Sequence, residues 1–145
     1  MDSGVLPDVE VCFAEYLLPL VDDPSHIGNF VITDYQTEVV DQGWEDTPFI
    51  ELHARGGEFD EATFTAWPVL EVLCWGKSRE VAVQTAMKVM KMIVLDNVQQ
   101  QFVAGDGFFD SASDITGSQE QETVSPDDRC VTRTFQLECR PEYDN

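Results

Sequence analysis

Apolar positions along the chain recur with two periods, and the changes from one to the other mark out its elements. Val9, Phe13, Tyr16, Leu17 and Leu20 fall at three- and four-residue steps, which predicts a first helix over residues 7–21. Pro7 and Asp8 suit its opening turn, Glu10 complements the positive end of its dipole, and Pro19 should end the regular part near Leu18. Asp22-Asp23-Pro24-Ser25 is a turn. Phe30 to Gln36 is short and rich in β-formers and reads as a strand, while residues 38–48 read as an acidic loop. From Phe49 to Arg55 the period becomes two. Ile50, Leu52 and Ala54 alternate there with Glu51, His53 and Arg55, the pattern of a half-buried strand.

The glycine-rich stretch Arg55-Gly56-Gly57-Glu58-Phe59-Asp60-Glu61 suits a hairpin tip, and Ala62 to Trp75 follows as a strand with Leu70, Val72 and Cys74 on one side. Pro68 inside it cannot donate to a ladder, so an edge or a bulge is expected there. Ser78 is a good N-cap for a helix over residues 79–95. In that helix Ala82, Ala86, Val89 and Ile93 form one apolar row, with Val83, Met87, Met90 and Val94 beside it. Such a helix covers one face of a sheet. Residues 105–128 carry glycine, serine and acid without a clear period and read as a functional loop or extended arm. Cys130 to Arg140 alternates once more. The predicted order is αβββαβ: four strands, with helices packed on one face.

The chain has 145 residues, 43% of them apolar, so a real core is expected and residues 1–145 read as one domain. Twenty-eight acidic residues against eight basic ones give a net charge of −20. That charge excludes non-specific binding to nucleic acid or to an anionic membrane surface, both of which would repel it. No apolar run approaches the ~18 to 20 residues of a membrane span, and Met1-Asp2-Ser3-Gly4 lacks the basic start of a secretory signal. Cys12, Cys74, Cys130 and Cys139 form no CxxC pair, and Cys12 and Cys74 lie among apolar neighbours. Buried, reduced thiols and assembly in a cytosol are therefore expected.

No catalytic, cofactor or metal constellation is legible. Gly105-Asp106-Gly107 lacks the GK[ST] of a phosphate loop, and His26 and His53 have no nucleophile partner in sequence. Asp106, Asp110 and Asp114 stand four apart, which is not the alternating spacing of a calcium loop. The eight cations are Arg55, Lys77, Arg79, Lys88, Lys91, Arg129, Arg133 and Arg140. Their segregation leaves two readings open: one mixed or basic face able to dock an acidic copy, or salt bridges within a monomer.

Two segments resemble a known family. Pro48-Phe49-Ile50-Glu51-Leu52-His53-Ala54-Arg55-Gly56-Gly57 is followed by Thr65-Ala66-Trp67-Pro68-Val69-Leu70-Glu71-Val72-Leu73-Cys74-Trp75-Gly76, and then Ser78-Arg79-Glu80-Val81-Ala82 opens the alanine-rich helix. This arrangement of strand, RxGG tip, strand and S-R-x-x-A helix resembles the tail terminator proteins of long-tailed, non-contractile phages, most closely those of actinobacterial phages. The resemblance implies an α/β (α+β) fold with a mixed or mostly antiparallel sheet. It implies a six-membered ring that caps the head-proximal end of the tail tube, stops its polymerisation and provides the surface that joins the head. The implied partners are other copies of the chain, the tail tube protein and a head-completion or connector protein, with DNA only as passing cargo. The implied place is the virion, assembled in the host cytoplasm, with no catalysis and no cofactor.

A cyclic ring needs two different patches per subunit. Trp44, Phe59, Phe108 and Phe109 are candidate apolar anchors, and Glu58, Lys77, Arg79 and Arg133 are candidate charged partners. Two alternatives remain at this point: another adaptor of the phage neck, and an acidic DNA-mimic inhibitor, whose carboxylates would have to be spaced like phosphates.

Overall fold

The two alternating runs form the middle of the sheet. A computed structural model describes residues 8–98, 100–115 and 129–140. In chain order its elements are α1 (Val9–Tyr16), β1 (Ile27–Gly28), α2 (Tyr35–Glu38), β2 (Phe49–Asp60), β3 (Thr65–Trp75), α3 (Arg79–Ile93), β4 (Phe102–Ala104), β5 (Gly107–Asp114) and β6 (Cys130–Cys139). Among the described residues the sheet has six strands in the order β1-β2-β3-β6-β5-β4, antiparallel except for the two-residue β1, which pairs parallel to β2. The expected mixed α+β class is present. The strand count of four is corrected to six: the strand expected at Phe30–Gln36 is lost, β1 and β4 form in stretches given no element, and β5 forms inside the stretch read as a loop.

Side-chain alternation sends Ile50, Leu52, Leu70, Val72, Cys74, Val131, Phe135 and Leu137 to one face, where all are buried. Two helices close that face. α3 is capped at its start by Ser78, whose hydroxyl accepts from the Val81 N–H at 3.3 Å, and it buries Ala82, Ala86, Val89 and Ile93. Of the second predicted row, Val83, Met90 and Val94 pack against the core, but Met87 turns outward and is 61% exposed. α1 buries Val9, Cys12 and Phe13, with the Phe13 ring against Phe102 and Phe109. Its regular part ends at Tyr16 and a 3-10 turn, Leu18–Leu20, carries Pro19. Each large side chain buried here contributes about 1.5–3 kcal/mol, so this layer is the main source of stability.

The opposite face is covered at one end by the segment between β1 and β2. Ile32, Tyr35 and Val39 pack there on Phe49, Trp75 and Cys130, with Tyr35 stacked on Trp75 at 5.7 Å. One side chain holds this second layer. Glu51, 2% exposed, accepts from the Ile32 N–H at 2.6 Å and the Trp75 Nε1–H at 3.0 Å, and lies 3.1 Å from His53 Nε2. The strand expected at Phe30–Gln36 does not form. Asp34 accepts from the Thr37 N–H, and Glu38 accepts from the Thr33 and Asp34 N–H groups, so side chains take the backbone donors a ladder would need and close α2 instead.

Gly56 and Gly57 lie inside β2 rather than at the hairpin tip. The register shifts between Arg55 and Glu58, opposite Pro68. The bulge expected at Pro68 is thus present, but in a central strand rather than at an edge. An added Cβ on Gly57 would stand 2.0 Å from the Trp67 carbonyl oxygen, whereas one on Gly56 would meet nothing within 4 Å. The stretch expected to be a loop from residue 105 instead starts with a turn and β5; residues 116–128 lie outside the described residues.

Gly57→Ala should cost about 1–3 kcal/mol because backbone has to move, while Gly56→Ala should stay within about 0.5 kcal/mol; urea unfolding of the pair checks this. Glu51→Ala should cost about 3 kcal/mol or more by leaving buried donors unmet. Glu51→Gln, which keeps an acceptor oxygen, should cost less in the same assay.

Candidate functional site

Residues expected to make contacts divide between the two ends of the β2–β3 ribbon. Its 12-residue strand β2 spans roughly 40 Å at 3.3–3.4 Å per residue. At the tip, Glu58, Phe59, Asp60 and Glu61 lead into a turn in which Asp60 accepts from the Ala62 N–H at 2.9 Å. Phe59 is 48% and Phe64 51% exposed, and Phe64 sits at φ 55, a conformation that a bulky residue seldom adopts. Two half-exposed aromatic residues thus share the tip with Glu58, Asp60 and Glu61.

The other end, the base, carries Trp44, Lys77 and Arg79. Trp44 is 51% exposed, and its N–H bonds to the Val39 carbonyl, which ties it to the segment over Trp75. Gly76 donates its N–H to the Arg129 carbonyl, and a Cβ there would stand 2.6 Å from Val81 Cγ1, so the turn bearing Lys77 is packed hard on α3. A cleft of about 260 Å³ opens between the start of β2 and the segment after β1, lined by Phe30, Val31, Ile32, Val39 and Phe49 with Ser25 and Glu38. The Asp34 and Thr33 N–H groups hold the Glu38 carboxyl below its ordinary value, and the Ser25 N–H and hydroxyl do the same for Asp23.

Three candidates stand elsewhere. Phe109, expected to be exposed, is fully buried, 5.1 Å from the Phe13 ring and 5.6 Å from Phe102. The alternation of Phe102 and Ala104 with Gly107 and Phe109 about a two-residue Gly105-Asp106 turn was a legible hairpin signal that the glycine and acid content masked. Phe108 points the other way, half-buried, opposite Val103. Arg133 pairs with Asp114 at 2.6 Å, and both side chains are largely covered.

The cations form no single basic face. Arg140 binds Asp110 through two nitrogens, Arg55 pairs with Glu71 and Lys91 with Asp96, and the Arg129 guanidinium lies over the Tyr35 ring at 5.3 Å. Salt bridges within the subunit thus engage Arg55, Lys91, Arg133 and Arg140 among the described residues. The same pairs occupy Asp110 and Asp114, two of the three regularly spaced aspartates. Among the described residues no group of three His, Cys, Asp or Glu is placed to hold a metal ion, and no helix is long and apolar enough to cross a membrane.

All four cysteines are free and buried; burial raises the Cys12 and Cys74 thiols and pushes Cys139 up to about 11. The His26 ring stacks on Phe49 at 3.8 Å and contacts the Thr47 hydroxyl, and His53 contacts Glu51, so both histidines serve packing.

Fold and surfaces define a small α+β protein that presents exposed aromatic and charged groups at the two ends of one ribbon. Residues 5–145 match the family described as phage tail termination protein, and the chain belongs to that family, a structural component of the phage tail. No curated protein matches it.

Phe109→Ala should destabilise the fold by about 3–5 kcal/mol, and Phe59→Ala should change it by no more than about 0.5 kcal/mol. Thermal melts of the two variants separate the core aromatic from the surface one.

Proposed function

We propose that this chain closes into a ring, of six copies, that caps the head-proximal end of the tail tube, ends its polymerisation and presents the surface to which the head joins. The observation that carries the reading, beside family membership, is the pair of unlike patches at opposite ends of the β2–β3 ribbon. Cyclic closure needs such patches, since each subunit must meet its neighbour with a different surface from the one it offers on the other side. Its partners are then other copies of itself, the tail tube protein and a head-completion or connector protein, with DNA as cargo that passes the bore. Residues 1–145 act as one domain, without catalysis, in a virion assembled in the host cytoplasm.

Charge sets a condition on the ring. Six copies carry about −120, so salt must screen long-range repulsion before short-range contacts hold. Ring formation, followed by mass measurement and negative-stain imaging, should strengthen as ionic strength rises to about 0.15–0.3 M. A steady weakening would mean that attraction between opposite charges dominates the seam. In the phage, removal of the protein should leave tubes of uncontrolled length unjoined to heads; tails of normal length on filled heads would overturn the reading.

A further inference from the structure

On its outer side the β2–β3 ribbon is an open sheet edge. β1 covers β2 there only at Ile50 and Glu51. Beyond it the residues from Ala54 to Phe59 are exposed, and the Ala54 N–H is met not by a strand but by the Glu10 carboxylate of α1 at 2.8 Å. Backbone groups along a strand alternate in direction with a period of two. Between Arg55 and Glu58 β2 advances three residues while β3 steps back two, from Val69 to Trp67, so the bulge takes up one. Phe59 is five residues past Ala54 and, with that one discounted, turns its N–H and carbonyl away from β3 as Ala54 does. Neither group has a partner among the described residues. We propose that this edge takes up an extended segment of another protein as an added strand, one with lysine or arginine at alternate positions and an apolar residue between them.

The register says what the added strand would meet. Cross-strand partners share a face of the sheet. Glu58 and Asp60, opposite Trp67 and Thr65, therefore lie on one face, and Phe59, opposite Ala66, lies on the other. Two carboxylates roughly 6.7 Å apart stand beside alternate residues of an added strand, and the half-exposed Phe59 stands beside the residue between them. Arg55, the only cation in this stretch of β2, is already taken by Glu71. Main-chain hydrogen bonds then supply affinity and the alternating side chains supply selection, as in other cases of strand addition. Charge repulsion between like edges keeps two such ribbons from pairing with each other.

A second copy of the chain does not carry the required pattern. Its only cations two positions apart are Lys77 and Arg79, with the polar Ser78 between them, and Ser78 and Arg79 are committed to the start of α3. The occupant is thus a basic strand of a different protein. The proposal goes beyond the ring reading and does not need it.

The probe is a short blocked peptide with lysine at alternate positions and valine between, followed by chemical-shift titration and amide exchange on the full chain. It should bind and slow exchange of the Phe59 amide at least about tenfold. Methylating the backbone nitrogens of the valines, or those of the lysines, strips the donors from one side of the peptide or the other. One of these two peptides should bind at least about tenfold more weakly than its counterpart. Phe59→Pro removes the outward N–H and leaves the ladder to β3 intact, so it should melt as Phe59→Ala does yet bind the peptide at least about tenfold more weakly than Phe59→Ala. Glu58→Lys combined with Asp60→Lys should lose the lysine peptide and take one with glutamate in the lysine positions. Equal affinity of the two methylated peptides would reduce the effect to attraction by net charge and overturn strand addition, as would no binding at all. A doubly reversed variant that still prefers lysine would overturn the assignment of Glu58 and Asp60.

Discussion

A carboxylate removed from water is stable only if hydrogen bonds replace the solvent around it, and Glu51 meets that condition by drawing three parts of the chain to one point. The Ile32 N–H comes from the connection after β1, the Trp75 indole from the end of β3, and His53 from the same strand two residues on. The helices of the first face need only apolar burial and would accept many arrangements of the connection on the second face. The Glu51 contacts select one. They seat Ile32, Tyr35 and Val39 over Phe49 and Trp75, and in doing so they give the cleft its walls and fix the position from which Trp44 stands into solvent.

Much of the fold was legible in the chain because its strongest periods coincide with its deepest burial. The alternation from Phe49, the row Ala82, Ala86, Val89 and Ile93, and the closing strand from Cys130 all stand where the pattern puts them. The failures share a physical origin, which is local chemistry that a period does not express. At residues 30–36 the β-forming composition lost to Asp34 and Glu38, whose carboxylates capture backbone donors. From residue 105 glycine and aspartate suggested loop, yet Gly105 and Asp106 make the turn between β4 and β5. Glu51 was read as one of the polar residues on the solvent side of its strand, since nothing in its spacing announces that another segment folds over it.

The candidate surface was legible in parts. Trp44, Phe59, Lys77 and Arg79 are placed at the two ends of the ribbon, whereas Phe109 belongs to the core and Arg133 to an ion pair beneath the helical face. Charge proved a weak guide to location, because Arg55, Lys91, Arg133 and Arg140 are engaged by carboxylates of the same subunit. Those pairs, mostly part-exposed, contribute little to stability. Each neutralises one cation and one carboxylate locally, so the net charge of −20 is carried by the remaining acidic residues.

The cysteines carry a different kind of consequence. All four are buried and reduced, and burial raises the thiols of Cys12, Cys74 and Cys139 well away from the reactive thiolate. Oxidation and disulfide exchange need an accessible thiolate. With its sulfurs sealed in the core, this subunit keeps the same covalent structure in reducing and in oxidising surroundings alike. Its resistance to oxidation then rests on how seldom the core opens.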